Sequence, residues 1–391
     1  MFLTNHDMVD LIDFRHELHR HPEISGEEEQ TARRVAGFLE PMKPARILKG
    51  LGGHGVAAVF EGAEPGPTLL FRSEIDALPI EEKTQIPHAS TIPGKGHLCG
   101  HDGHSATLLA LALGLSRAAP RRGRVVLLFQ PAEENGAGAA AVIADPRFAE
   151  IRPDFAFSLH NMPGLALGRV ALTDGPVNCA SRGMKIKLSG KAAHASQPET
   201  GLSPMKAMAS LMPALTALSR SAPPDRGFRL ATVTHAALGE RAFGIAPGDG
   251  EIWVTLRTLI DDRMAELCAE AEALASQAAK AEGLALDITY DDVFLHCENA
   301  PEAVAHLVCA LDAEGINHDR GNLPMRASED FGRFRAFAPS AMFFLGSGED
   351  HPALHNPDYD FPDALIAIGA RVFMRVVRDI LGQARPGATA D

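Results

Sequence analysis

Cys99-Gly100-His101-Asp102-Gly103-His104 gathers a thiol, two imidazoles and a carboxylate into one short stretch, and Glu133-Glu134, His160 and His355 add donors further along the chain. Thiolate, imidazole and carboxylate together suit zinc or a neighbouring first-row divalent ion. Gly100 between Cys99 and His101, with Gly96 just upstream, lets the loop turn tightly enough to aim both side chains at one ion. Cys99, His101, Glu134, His160 and His355 are therefore the candidate metal ligands.

The adjacent pair Glu133-Glu134 permits a division of labour, because successive residues of an extended segment point apart. Glu134 can hold the ion while Glu133 faces the water it activates. A divalent ion lowers the pKa of such a water from 15.7 to about 7, and a nearby glutamate can take the remaining proton and pass it to a leaving amine. The expected chemistry is metal-dependent hydrolysis of an amide, with Glu133 as general base and acid. Asp76, in Arg72-Ser73-Glu74-Ile75-Asp76-Ala77-Leu78-Pro79, can orient a ligating imidazole by hydrogen bonding or close a turn. Asp102 and His104 can be further ligands or can cap a helix expected from Ser105.

The elements that must position these residues alternate along the first part of the chain. Helical spacing between Asp7 and Glu40 is broken at Pro22, which steers the preceding residue out of the helical region and divides the stretch into two helices. Strand patterns come next at 55–61, 68–72, 124–129 and 154–159, with a helix over 105–118 between them. Thr68-Leu69-Leu70-Phe71, Val125-Val126-Leu127-Leu128-Phe129 and Phe155-Ala156-Phe157-Ser158-Leu159 are nearly continuous apolar runs, as expected of strands covered on both faces by helices. Glu74 and Asp76, Glu133 and Glu134, and His160 lie just past their carboxyl ends, where open α/β sheets place ligand sites.

After Gly175 the order becomes β-α-β-β-α-β, with strands expected at 184–188, 229–236, 251–258 and 286–290 and helices at 204–219 and 262–281. This is the pattern of an inserted ferredoxin-like domain. The first pattern returns near Val293 with a helix over 301–312, the buried strand Ala341-Met342-Phe343-Phe344-Leu345 and a final helix over 362–381. The expected class is α/β: a discontinuous catalytic domain, residues 1–178 and 293–391, with a mostly parallel sheet, interrupted by the α+β domain 179–292.

Composition narrows the function. A net charge of −13 disfavours nucleic acid and anionic membranes, both of which reward clustered Lys and Arg. No apolar run is long enough to cross a bilayer, and Met1 to Arg20 lacks a basic start followed by an apolar core, so a cytoplasmic protein is expected. Cysteines at 99, 179, 268, 297 and 309 follow no regular framework, which fits reduced thiols; Cys268 reads as core. Only the tail after Gln383 has a disordered composition.

With these motifs assembled, the chain resembles the M20 metallopeptidases, specifically the amidohydrolase branch that holds hippurate hydrolases, N-acyl-amino-acid amidohydrolases and plant auxin-conjugate hydrolases. The likeness runs through Arg15 to Glu28 (RHELHRHPEISGEE), Asp76-Ala77-Leu78-Pro79, the Cys99 to His104 loop, Phe129 to Glu134 (FQPAEE), Ser328-Glu329-Asp330-Phe331 and Leu354-His355-Asn356-Pro357. It implies one or two divalent ions per subunit (zinc, manganese, nickel or cobalt) on Cys99, His101, Glu134, His160 and His355. It also implies a catalytic Glu133, and an inserted domain that acts as lid and dimerisation surface in a homodimer or dimer of dimers. His194, from sequence alone a loop histidine, is implied to stabilise the developing oxyanion in its own or the partner subunit's site. Arg257 matches a family arginine able to bind a substrate carboxylate, and equally reads as an ordinary strand-end arginine.

Two positions depart from the pattern: Glu74 stands where aspartate is usual, and Gly244 precedes Ile245-Ala246-Pro247 where asparagine is common. The expected substrate is a small N-acyl amino acid, cleaved to a carboxylic acid and a free amino acid. A dipeptidase or aminopeptidase uses the same chemistry. A non-catalytic metal-binding protein is the reading from another class, which the spare carboxylate of Glu133 argues against.

Overall fold

The computed structural model describes residues 2–220 and 224–383, so the tail after Gln383 lies outside the described residues. The chain forms two compact units, one of residues 1–177, 298–323 and 330–391 and the other of residues 178–297 and 324–329.

The first unit is built on an eight-stranded mixed sheet. Its order is Arg46–Leu51, Gly55–Glu61, Arg122–Gln130, Glu64–Glu74, Phe155–Pro163, Ser340–Gly348, Val170–Ala171 and His318–Asp319. The four central strands run parallel, while the Arg46–Leu51 and Gly55–Glu61 strands join one side antiparallel. The central strands and Gly55–Glu61 are buried along most of their length, whereas Arg46–Leu51 is mostly exposed or half-buried. The same mixed exposure hides Arg46–Leu51 from a search for apolar runs.

One core gathers the sheet's inward residues with helices Asn5–Arg20, Glu29–Leu39, His101–Arg117, Pro301–Glu314 and Ala364–Leu381. Thr4 opens the first helix with a reciprocal capping box to Asp7. The His101–Arg117 helix is buried along most of its length; Leu108, Leu109 and Leu111 are fully buried, each worth roughly 1.5–3 kcal/mol. It begins at His101, not at Ser105 as its apolar periodicity suggests. Gly100 at φ 93° turns the chain into the helix, and a Cβ on Gly103 would meet the Phe361 ring at 2.2 Å. The first turn is polar because its side chains meet buried polar partners, so apolar periodicity detects only the later turns of the helix.

The second unit carries a four-stranded antiparallel sheet in the order Arg229–Leu238, Asp249–Thr258, Ala180–Ser189, Ala285–Phe294. The Met205–Thr216 and Asp261–Ala281 helices share one core with it. In chain order this is the ferredoxin-like β-α-β-β-α-β arrangement. The short return 324–329 attaches to it through a bridge between Asn178 and Met325 and a 3.0 Å hydrogen bond from the Cys179 amide to the Ala327 carbonyl.

No helix among the described residues is long and apolar enough to cross a membrane. None of the five cysteines is in a disulfide; Cys268 lies in the second unit's core, and Cys309 alone is exposed.

Candidate metal centre

The candidate ligands converge from four segments of the first unit, with Cys99 and His101 on the same one. Cys99 ends the loop before the His101–Arg117 helix, His101 opens that helix, Glu134 lies beyond the Arg122–Gln130 strand, and His160 is on Phe155–Pro163. His355 comes from the loop after Ser340–Gly348 and takes a left-handed φ of 67°. Its amide donates to the Leu98 carbonyl at 2.8 Å, which ties this loop to the residue before Cys99.

Three overlapping groups result: Cys99 with His101 and His160, Cys99 with Glu134 and His355, and His101 with Glu133 and Glu134. In each, donor atoms lie within 4.8 Å of one another. Cys99 Sγ is 3.5 Å from His160 Nε2, His101 Nε2 is 3.8 Å from Glu134 Oε1, and His355 Nε2 is 3.6 Å from Glu134 Oε2. Tetrahedral ligands at 2.0–2.3 Å from an ion stand about 3.3–3.8 Å apart, the spacing seen here.

The imidazoles are held with one nitrogen turned into the cluster. His101 Nδ1 donates to the Asp76 carbonyl at 3.0 Å and lies 3.3 Å from Asp76 Oδ1. A neutral ring so placed keeps its lone pair on Nε2, which is buried and has no hydrogen-bond partner. His160 Nδ1 likewise faces the Asn161 carbonyl at 2.8 Å, leaving Nε2 toward Cys99. The donor set thus fits a divalent cation, since the buried His101 lone pair lies beside a carboxylate and a thiol that can share one ion with it.

Without a cation, the electrostatics favour the protonated, non-ligating forms of two of these donors. Burial, reinforced by Glu134 and Glu133, pushes the Cys99 thiol well above its usual range, so without a cation the thiolate is disfavoured. Burial lowers His101, but the Asp76 hydrogen bond and the Glu134 carboxylate outweigh it and leave its pKa raised. Burial and nearby His101 lower His355. Asp76 is held below the carboxylate range despite its burial, chiefly by its hydrogen bond with His101.

The family model for "Peptidase family M20/M25/M40" matches residues 70–379. The chain belongs to this family. The N-acetyl-L-cysteine deacetylase of Bacillus subtilis is 34% identical over 91% of this chain and 84% of its own length. The hippurate hydrolase of Campylobacter jejuni is 32% identical, covering 93% of this chain and 94% of its own. The solved structure of the Bacillus subtilis YXEP protein, a dinuclear metal-binding peptidase of the M20 family, superposes with a TM-score of 0.79. That match covers 97% of this chain and 99% of the other; at 24% identity it speaks to the fold. The M20 resemblance drawn from the motifs holds, and the protein is a metal-dependent hydrolase acting on amide bonds.

Within this M20 chain the second unit holds the other two expected residues. His194 is exposed, on a two-residue strand paired with Ile245–Ala246, and its Nδ1 is 2.8 Å from the Ser196 hydroxyl. The Ala195 amide donates to the Gly244 carbonyl at 3.0 Å, so His194 and the departing Gly244 share one ribbon. Arg257 donates to the Ser328 hydroxyl at 2.7 Å and the Arg326 carbonyl at 3.0 Å, and burial lowers its pKa.

Several residues that sequence reasoning ranks low are buried by the fold around the cluster. His104 Nδ1 meets Glu74 at 2.6 Å and its Nε2 meets Asn161 at 2.5 Å, while Glu74 also pairs with Arg72. Burial lowers His104 to about 3 and keeps it neutral. Glu74, His101 and His104 also form a compact donor group, but two of its members already have these partners. Asp102 Oδ2 accepts from Arg15 at 3.0 Å and pairs with His19 Nδ1 at 2.9 Å, so Asp102 braces the helix start. Arg15 and His19 stand one helical turn apart in a stretch whose polar residues look solvent-facing, and that i, i+4 spacing is the signal that could have found them.

Proposed function

We propose that this M20 enzyme hydrolyses the amide bond of small N-acyl amino acids, releasing a carboxylic acid and a free amino acid. The observation that carries this reading is the Glu133-Glu134 pair at the donor cluster, where Glu134 approaches His101 and His355 and a second carboxylate stands beside it. The relatives support the substrate class: one is named for N-acetyl-L-cysteine and another for hippurate, both N-acyl amino acids.

Cys99, His101, Glu134, His160 and His355 would hold one or two divalent ions (zinc, manganese, nickel or cobalt), with Asp76 orienting His101. Such an ion supplies a Lewis acid for the carbonyl and acidifies a water. Glu133 takes the proton from the attacking water and delivers it to the amine as the C–N bond breaks. His194 stabilises the developing oxyanion in its own or the partner subunit's site, and Arg257 receives the substrate carboxylate. The neutral partners of Arg257, a hydroxyl and a carbonyl, favour that role over a structural one. The ferredoxin-like part, 179–292, serves as lid and dimerisation domain of a cytoplasmic homodimer or dimer of dimers.

Turnover of N-acetyl, N-benzoyl and indole-acyl amino acids beside dipeptides, before and after chelation, tests this reading. Acyl substrates are expected to turn over and chelation to abolish it. Dipeptide cleavage alone would replace the substrate class. Glu133→Gln should lower kcat by roughly 10²–10⁴ with metal content unchanged, and loss of metal instead would exchange the roles of Glu133 and Glu134.

A further inference from the structure

Glu28 is fully buried, directly before the Glu29–Leu39 helix, and the chemistry above makes no use of it. Its Oε1 accepts a 2.8 Å hydrogen bond from the Ala132 amide, beside backbone amides of its own turn at Gly26 and Glu28. Burial pushes the carboxyl above its usual range. A charge-capable group kept in such a place requires a reason.

Ala132 supplies it. It has a φ of 50°, in the left-handed region that residues with a Cβ seldom adopt, and it immediately precedes Glu133 and Glu134. Three hydrogen bonds close around the turn: Glu28 on the Ala132 amide, the Gly138 amide on the Ala132 carbonyl at 2.9 Å, and the Gly136 amide on the Glu133 carbonyl at 2.8 Å. Asp76 Oδ2 then accepts from the Glu134 amide at 3.0 Å. The chain before Glu28 secures Asp76 in turn, since Ser25 Oγ donates to the same Oδ2 at 2.7 Å and the Glu23 carbonyl accepts from the Ala77 amide at 2.8 Å. One loop, 23–28, therefore reaches the Glu133-Glu134 turn at both ends.

We propose that Glu28 is a positioning residue for hydrolysis: its carboxylate holds Ala132 in the left-handed conformation that aims Glu133 and Glu134 at the metal cluster. The proposal rests on the role given above to Glu133. Without an acceptor at position 28 the buried Ala132 amide loses its partner and the residue relaxes toward negative φ. That rotates the peptide leading into Glu133, and a displacement near 1 Å can cost about 10²-fold in rate.

Glu28→Met keeps the buried volume but removes the acceptor, and Glu28→Gln keeps both. In metal-loaded enzyme, Glu28→Met should lower kcat by roughly 10–100-fold with KM within a few-fold, and Glu28→Gln should stay within about 3-fold of wild type. Ala132→Gly in the Glu28→Met background should recover part of the loss, because glycine adopts positive φ without strain. Wild-type kcat in folded Glu28→Met overturns the proposal. Equal losses in Met and Gln variants overturn the acceptor role, and absence of recovery with Ala132→Gly overturns the role of backbone strain. Should Glu28→Met not fold, Glu28→Asp, whose shorter arm withdraws the acceptor, takes its place with the same expected fall. Glu133→Gln runs in parallel: full activity there sinks the reading of Glu133, while an inactive Glu133→Gln beside a wild-type Glu28→Met sinks the positioning role alone.

Discussion

The metal cluster and the His194 ribbon hold their side chains in opposite ways. Around the cluster, residues are braced from behind: His101 by Asp76, the Glu134 amide by Asp76, the Ala132 amide by Glu28, and the His355 amide by the Leu98 carbonyl, although the His355 ring itself is half exposed. On the ribbon, His194 is exposed, its strand is two residues long, and its ring meets the neighbouring Ser196. Phe243 and Ile245 beside it are also exposed. A cation-binding site gains from donors fixed before the ion arrives, because ordering them later costs entropy. A residue that meets the substrate late in the cycle can stay mobile until then.

The largest expected effect that would break this contrast lies on the ribbon. If His194 stabilises the oxyanion, His194→Ala should lower kcat by roughly 10²–10³. Metal content and Tm should not move, because nothing buried depends on its ring. Steady-state kinetics with metal analysis on the same preparation checks this. Loss of metal would show the ribbon to be part of the cradle, and unchanged kcat would remove His194 from the chemistry.

The donor groups that the fold brings together were largely legible in the sequence, because metal chemistry restricts residue types. Cys99 and His101 stand in a glycine-containing turn and His355 in a proline-flanked loop, while Glu134 and His160 were placed by apolar runs ending in polar residues. The bracing did not show. Glu28, Arg15 and His19 sit in a segment whose charge reads as solvated surface, and only the fold reveals that they are buried. The His101–Arg117 helix starts earlier than its periodicity because its first turn trades apolar burial for polar partners. The mixed edges of the large sheet stayed hidden for a related reason: half-exposed strands such as Arg46–Leu51 carry no continuous apolar run.

A middle-sized effect sharpens the bracing side. Asp76 holds both the His101 ring and the Glu134 amide, so Asp76→Asn should weaken metal affinity by roughly 10–100-fold. Chelator competition on folded protein gives the ratio. Excess metal should restore much of the activity if positioning is the whole of its role. Activity that stays low at saturating metal would mean that Asp76 also acts on the reaction.

The last effect concerns the outer ring of braces and appears in stability, not in activity. His19 is fully buried against Asp102, and although burial alone would lower its pKa, the Asp102 carboxylate and Glu82 raise it to about 9. A histidine whose folded pKa is raised contributes stability below its unfolded pKa near 6.5 and loses that contribution as pH rises through 9. Wild type should therefore exceed His19→Gln in unfolding free energy by up to about 3 kcal/mol at pH 6, and the gap should close by pH 10. Glutamine can still donate to Asp102, so the pH dependence, read from urea melts at several pH values, isolates the imidazolium charge. A gap that does not change with pH would assign His19 to packing alone, and buried Asp102 would then owe its charge balance to Arg15, which lies 3.0 Å from it and 2.7 Å from Asp360.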